Sequence, residues 1–120
     1  MADYRFTVPA GLDLLSSNQR LHWAVRARRV KAIRQWASWE AVRQQVPKAE
    51  RVSVSVWVHP GSRTRRIDPP NYADTVKALI DGVVDAGVLP DDTGKHGIAV
   101  TYKEGARWPR TTVEVLFKGL

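Results

Sequence analysis

The sequence predicts a single small α+β (α/β) domain: a mixed sheet carrying two main helices, in the order β-α-β-α-β-β. Three observations lead there. Residues 51–59, RVSVSVWVH, alternate strictly and put Val52, Val54, Val56 and Val58 on one face of a strand. Two longer stretches, 22–45 and 71–86, repeat their apolar residues every three or four positions, the spacing of a helix with one buried side. A chain of 120 residues is long enough for one domain with one core.

The elements follow in order. Residues 4–9, YRFTVP, alternate and read as a short first strand. A loop rich in turn formers follows, with Ser16, Ser17 and Asn18 at its centre. From His22 to Gln45 there is no Gly or Pro, so one long helix is expected, stopped by Pro47. Val30, Ile33, Ala37 and Ala41 form its inner face. The alternating strand 51–59 is next, then a basic loop, PGSRTRR. Pro69 and Pro70 precede a second helix from Asn71 to about Ala86, with Gly87 closing it. Val76, Leu79, Ile80, Val83 and Val84 are its apolar stripe. Residues 98–104 and 111–118 read as strands joined across GARWPR, and so short a connection predicts that they pair antiparallel.

Composition narrows the class. At 43% hydrophobic and 26% charged the chain reads as globular. Cysteine is absent, which excludes disulfides and thiolate metal sites and suits a reducing cytoplasm. The first residues lack the layout of a signal peptide, and no apolar run approaches the ~20 residues of a membrane span. The expectation is a cytoplasmic protein with no membrane partner.

Charge is distributed unevenly. The chain carries +7 overall, yet residues 67–92 carry −5 while 1–66 carry +9 and 93–120 carry +3. A basic body attracts polyanions, and nucleic acid is the commonest of these. Half of the carboxylates nevertheless lie in one stretch: Asp68, Asp74, Asp81, Asp85, Asp91 and Asp92. Asp74, Lys77, Asp81 and Asp85 share one face of the second helix. Unpaired, these groups would repel phosphate. A hard divalent cation resolves the conflict, because Mg²⁺ takes one or two carboxylates together with phosphate oxygens. Bound there, it supports in-line displacement at phosphorus, and Lys77 adds a fixed positive charge where the transition state becomes more negative. Asp68 and the Asp91–Asp92 pair start at opposite ends of the helix, so a shared ion requires the loop to fold back. Taken singly, the same residues have plainer roles. Asn71 with Asp74 is an N-cap pair, Lys77 with Asp81 a surface pair, Asp85 a solvated charge and PDDTG a turn.

Arg65-Arg66, Asp68, Asn71, Lys77, Asp81, Gly87 and Asp91-Asp92 together resemble the signature of the RusA-type Holliday junction resolvases. These are small homodimeric endonucleases often encoded by phages and prophages. The family pattern is Arg-Asp-x-Asp-Asn, then a lysine, an aspartate four residues on, and later a glycine and paired aspartates. Lys77 to Asp81 is four residues here, and Asp91 and Asp92 follow ten and eleven residues later. SSNQRLHW, residues 16–23, resembles the family's polar Asn-containing loop. The resemblance implies a Mg²⁺-dependent nuclease, with Mn²⁺ a candidate substitute, that nicks four-way DNA junctions symmetrically as a homodimer. It assigns Asp68, Asp91 and Asp92 to the metal and to catalysis, with Lys77 beside them. One departure stands out: Pro70 falls where the family has its second aspartate, and three extra residues separate Asn71 from the lysine. Asp74, the Asn71 amide oxygen or a water are the three ways to fill that coordination position.

Binding is expected from Arg63, Arg65 and Arg66 before the second helix and from Arg26, Arg28 and Arg29 on the first. The helix start at Asn71 offers backbone N–H groups to a phosphate. Packing suits Trp36, Trp39 and Trp57, Trp108 lies between arginines where it can stack on a splayed base, and the scattered His22, His59 and His96 suit surface or capping roles. Two other classes fit the same charges: a nucleic-acid-binding module without catalysis, and an interaction domain that docks through its acidic face.

Overall fold

The computed structural model describes residues 3–64, 66–89 and 98–119. In chain order these form β1 (Asp3–Thr7), α1 (Trp23–Arg43), β2 (Val52–His59), a 3₁₀ turn (Pro69–Tyr72), α2 (Ala73–Asp85), β3 (Ile98–Glu104) and β4 (Thr112–Gly119). The α+β class and the element order are those the sequence predicts.

The sheet order is β1-β4-β2-β3. β4 lies antiparallel between β1 and β2, while β3 runs parallel to β2 with Val52 opposite Ile98. β3 and β4 are therefore not partners, contrary to the expectation from their short connection. Parallel neighbours need a crossover of a dozen residues or more. The span 60–97, which contains α2, supplies that crossover and claims one side of β2 for β3. The segment 105–111 must then step across the end of β2 to reach its other side. It does so in close contact: Gly105 N–H donates to Val58 O, and Trp108 N–H to Pro60 O. A Cβ on Gly105 would overlap the His59 ring, so only glycine passes there.

One face of the sheet is the core. Phe6, Val8, Val52, Val54, Val56, Val58, Val113, Val115 and Phe117 are buried against Ile33, Ala37 and Ala41 of α1 and Val76, Leu79 and Val83 of α2. Full burial of one such side chain contributes roughly 1.5–3 kcal/mol. Trp36 joins this face edge-on to Phe6, with ring centroids 6.2 Å apart. Trp57 lies on the opposite, solvent side under the Arg5 guanidinium, and Trp39 is 65% exposed.

The helix ends explain the helix lengths. His22 caps α1, its Nδ1 accepting from Ala24 N–H at 3.2 Å. α2 ends in a Schellman arrangement: Gly87 takes φ +82°, Gly87 N–H donates to Val84 O and Val88 N–H to Val83 O. The other end departs from the predicted start at Asn71. The two prolines force a 3₁₀ turn, and α2 begins at Ala73 with Tyr72 at its cap and no side-chain cap bond. Asn71 and Asp74 thus do not form the cap pair.

The two helices meet at Gly82, where a Cβ would overlap the Arg34 carbonyl oxygen and crowd Ala37. Close approach lets charged residues reach across. Arg26 binds Asp74 at 3.0 Å, and Arg34 binds Asp85 through two contacts of 2.5 and 2.8 Å.

Candidate functional site

Asp68, Asn71, Asp74 and Lys77 come from one stretch that turns from the end of β2 into α2. The turn is held by the loop preceding α1. Ser17 N–H donates to Asn71 O at 2.8 Å, and the Ser17 hydroxyl donates to Asn71 Oδ1 at 3.0 Å. Four residues later along the same path, buried Thr75 closes the joint. Its hydroxyl accepts from Leu15 N–H and donates to Leu15 O, both at 2.7 Å. The polar loop around Ser16–Asn18 and the segment around Asn71 are thereby brought together across more than fifty residues. Asn71 serves this joint, and its own N–H donates to Asp68 O. That N–H is therefore not one of the free donors expected for a phosphate.

Asp68 is exposed, and its carboxylate has no hydrogen-bond or ionic partner among the described residues. Its oxygens fit a hard cation. Asp74 fits less well, because Arg26 already holds one of its oxygens. Lys77 and Asp81 pair at 3.1 Å along one turn of α2. They border a groove of about 580 Å³ between α2 and β3, whose floor is Val76, Ile80, Val100 and Tyr102. Burial, and secondarily the negative charge of Asp74, pushes the Tyr102 phenol up. Asp85, expected in solvent, is tied to Arg34, which holds its carboxyl below the ordinary aspartate value against a smaller opposing effect of burial.

Asp91, Asp92, Arg65 and His96 lie outside the described residues. The chain leaves the described region at Leu89, whose neighbour Val88 accepts from Ala49 N–H, and re-enters at Ile98 beside Val52. Both points are at the end of α2 remote from Asp68, some 20 Å along a helix of 13 residues. Among the described residues no three metal-ligating side chains converge.

The arginines fall into three groups. Arg26 and Arg34 are committed to α2, whereas Arg28, Arg63 and Arg66 are exposed and Arg29 turns toward the loop at Asp13 and Leu14. The segment 105–111 contributes Arg107 and Arg110, which the sequence marks only as the flanks of Trp108. Arg107 Nη1 donates to Gly61 O at 2.5 Å and to Thr64 O at 2.6 Å, fastening the start of the loop after β2 to the segment 105–111. Trp108 is not free for a base: it stacks on His59, 3.7 Å between centroids and 5° from parallel. His59 is itself buried rather than superficial. Nδ1 lies 2.8 Å from Ala106 O and Nε2 3.2 Å from Glu114 Oε1. The sequence suits His59 to a surface or capping role, but the segment 105–111 covers it.

No family model matches the chain, and no curated protein matches it. Among solved structures it is similar to the periplasmic domain of Helicobacter pylori MotB, at 16% identity over 96% of this chain and 79% of that one, with a TM-score of 0.46. That likeness carries no statement about activity. Among the described residues no helix is long and apolar enough to cross a membrane.

Proposed function

We propose that this protein is a Mg²⁺-dependent endonuclease of the RusA type, which resolves four-way DNA junctions by paired nicks in recombination and repair. The observation that carries the reading is Asp68. It is an exposed carboxylate without a partner among the described residues, in a basic chain, at the head of the segment that resembles the family signature. Asp68, Asp91 and Asp92 would hold the cation, with Asp74, Asn71 or a water in the position where Pro70 replaces the family's aspartate. Mg²⁺, or Mn²⁺ in its place, supplies an activated water and offsets charge on the scissile phosphate. Lys77 stabilises the negative charge that builds there, and its contact to Asp81 keeps it on that side of α2. Arg28, Arg29, Arg63 and Arg66, with Arg65 beside them, hold the DNA backbone. Two copies related by a two-fold axis would present two such sites to one junction, in the cytoplasm of a bacterial or phage-infected cell.

The test is a labelled four-way junction incubated with and without Mg²⁺. Asp68→Asn should abolish cutting and leave junction binding unchanged. A variant that cuts like the parent removes the reading. One observation favours a second reading, a binding module without catalysis: Asp74, a substitute for the missing aspartate, is engaged by Arg26. On that reading the parent binds the junction and never cuts it, with either cation.

A further inference from the structure

A second polar cleft, of about 280 Å³, opens between the loop after β1 and the start of β4 and shares no lining residue with the α2–β3 groove. Arg29, Arg110, Tyr72, Gln19, Thr112 and Asp13 are among the residues lining it. Its two guanidiniums are weakly employed. Arg29 reaches Leu14 O at 3.5 Å and Asp13 at 3.8 Å, and Arg110 reaches Ala10 O at 3.4 Å. All three contacts are at or beyond the outer limit of a good hydrogen bond. Arg26 and Arg34, by contrast, spend their forks on Asp74 and Asp85. Arg29 is also mostly covered, with 26% of its side chain exposed. A guanidinium in that position loses hydration and gains from an anionic partner. Asp13 offsets one of the two positive charges and leaves the cleft net positive. Tyr72 adds a donor: its hydroxyl lines the cleft and has no partner among the described residues.

We propose that this cleft receives a phosphate of the bound DNA strand, gripped by Arg29 and Arg110 with the Tyr72 hydroxyl donating to it. Arg and Tyr donors around a concave site match the oxygens of a phosphodiester. Tyr72 closes the 3₁₀ turn that Asp68 caps, so one short turn carries both the cleft's hydroxyl and that carboxylate. The inference rests on the DNA-binding part of the reading above and not on its cutting step.

The experiment measures four-way-junction affinity across a salt series with a chelator present, so that nothing is cut. Arg29→Gln and Arg110→Gln should each weaken binding about tenfold at fixed salt. Each should also flatten the plot of log affinity against log salt by about one unit. Tyr72→Phe should weaken binding with the slope unchanged. Arg43→Gln, at the far end of α1, should change neither quantity. Arg110 is exposed, so its variant keeps the fold, and a thermal melt checks Arg29→Gln. Unchanged slopes in both arginine variants overturn the proposal. It is equally overturned if a 5′-deoxynucleoside monophosphate, titrated by NMR, needs Arg29 and Arg110 while junction affinity does not, because the ligand is then a free nucleotide. A protein that binds junctions but never cuts them still answers this test.

Discussion

Along α2, Asp74, Lys77, Asp81 and Asp85 stand at the surface and find opposite charges: Arg26 and Arg34 across the helix interface, and one another along the helix. On the outer side of the sheet, Glu114 is in a different situation. Only 11% of its side chain is exposed, and Arg5, His59 and Thr7 all contact it, with Arg5 at 3.0 Å. Both regions pair charges, but the costs differ. Exposed pairs on long side chains are worth about 0.2–1 kcal/mol and weaken in salt. A covered carboxylate has already lost its water, so removing its partners, or removing it from its partners, costs more than the pair contributes on balance. The gathering of aspartates on α2 is therefore cheap to maintain, and much of it serves to dock a basic helix. Among the described aspartates of the acidic segment, Asp68 is the one these pairings leave over.

The largest break in the comparison comes from Glu114→Ala. It strands His59 and Arg5 next to β4 and loosens the segment 105–111, which the His59–Trp108 stack holds against β2. We expect a loss of about 3 kcal/mol, read as a shift in the urea midpoint. If the loss is no greater than for a surface pair, the node is only another exposed contact.

Acid should separate the two regions next. Burial pushes the Glu114 carboxyl up, but hydrogen bonds from Arg5 and His59, with the charge of Arg5, outweigh it and leave the group below the ordinary glutamate value. Above that ordinary value both folded and unfolded chains are ionised, and the contribution to stability is complete. As pH falls, the unfolded chain takes up its proton first, and the contribution is lost through the depressed folded value. The parent should therefore lose more stability than Glu114→Gln between neutral pH and the region below the ordinary glutamate value. Parallel urea titrations that fall equally with pH would show that Glu114 is not the group responsible.

The same contrast marks what could be read in advance. Alternation in β2 and the three-four spacing of α1 report burial on one face, and both are local patterns. The Lys77–Asp81 pair is local as well. The place of β3 was not legible, because chain proximity to β4 competed with a crossover whose direction depends on how α2 packs. The Glu114 node was hidden for a related reason. His59 and Glu114 occupy outward positions on their strands, and only the passage of residues 105–111 over β2 buries them. The joint of Ser17 with Asn71 depends on a loop docking against a turn 54 residues away, and no period encodes that. At the candidate site the resemblance pointed to Asp68 and Lys77 as candidates. It carried no information on which carboxylates α1 would occupy, because an arginine-rich helix reads the same whether it faces DNA or a neighbouring acidic helix.

The smallest expected effect sharpens that last point. Asp85→Asn removes a bidentate partner of Arg34, yet both side chains are more than a third exposed. The loss should be about 0.5 kcal/mol at low salt and should shrink as salt rises, since screening acts on the parent pair. Asp74→Asn should behave alike toward Arg26 in stability but differ in function if Asp74 fills the position of Pro70, because it then also lowers Mg²⁺-dependent cutting. Measuring both variants for urea midpoint and junction cleavage distinguishes an aspartate that only docks α1 from one that also faces the cation. Equal cleavage in the two would assign Asp74, like Asp85, to helix docking alone.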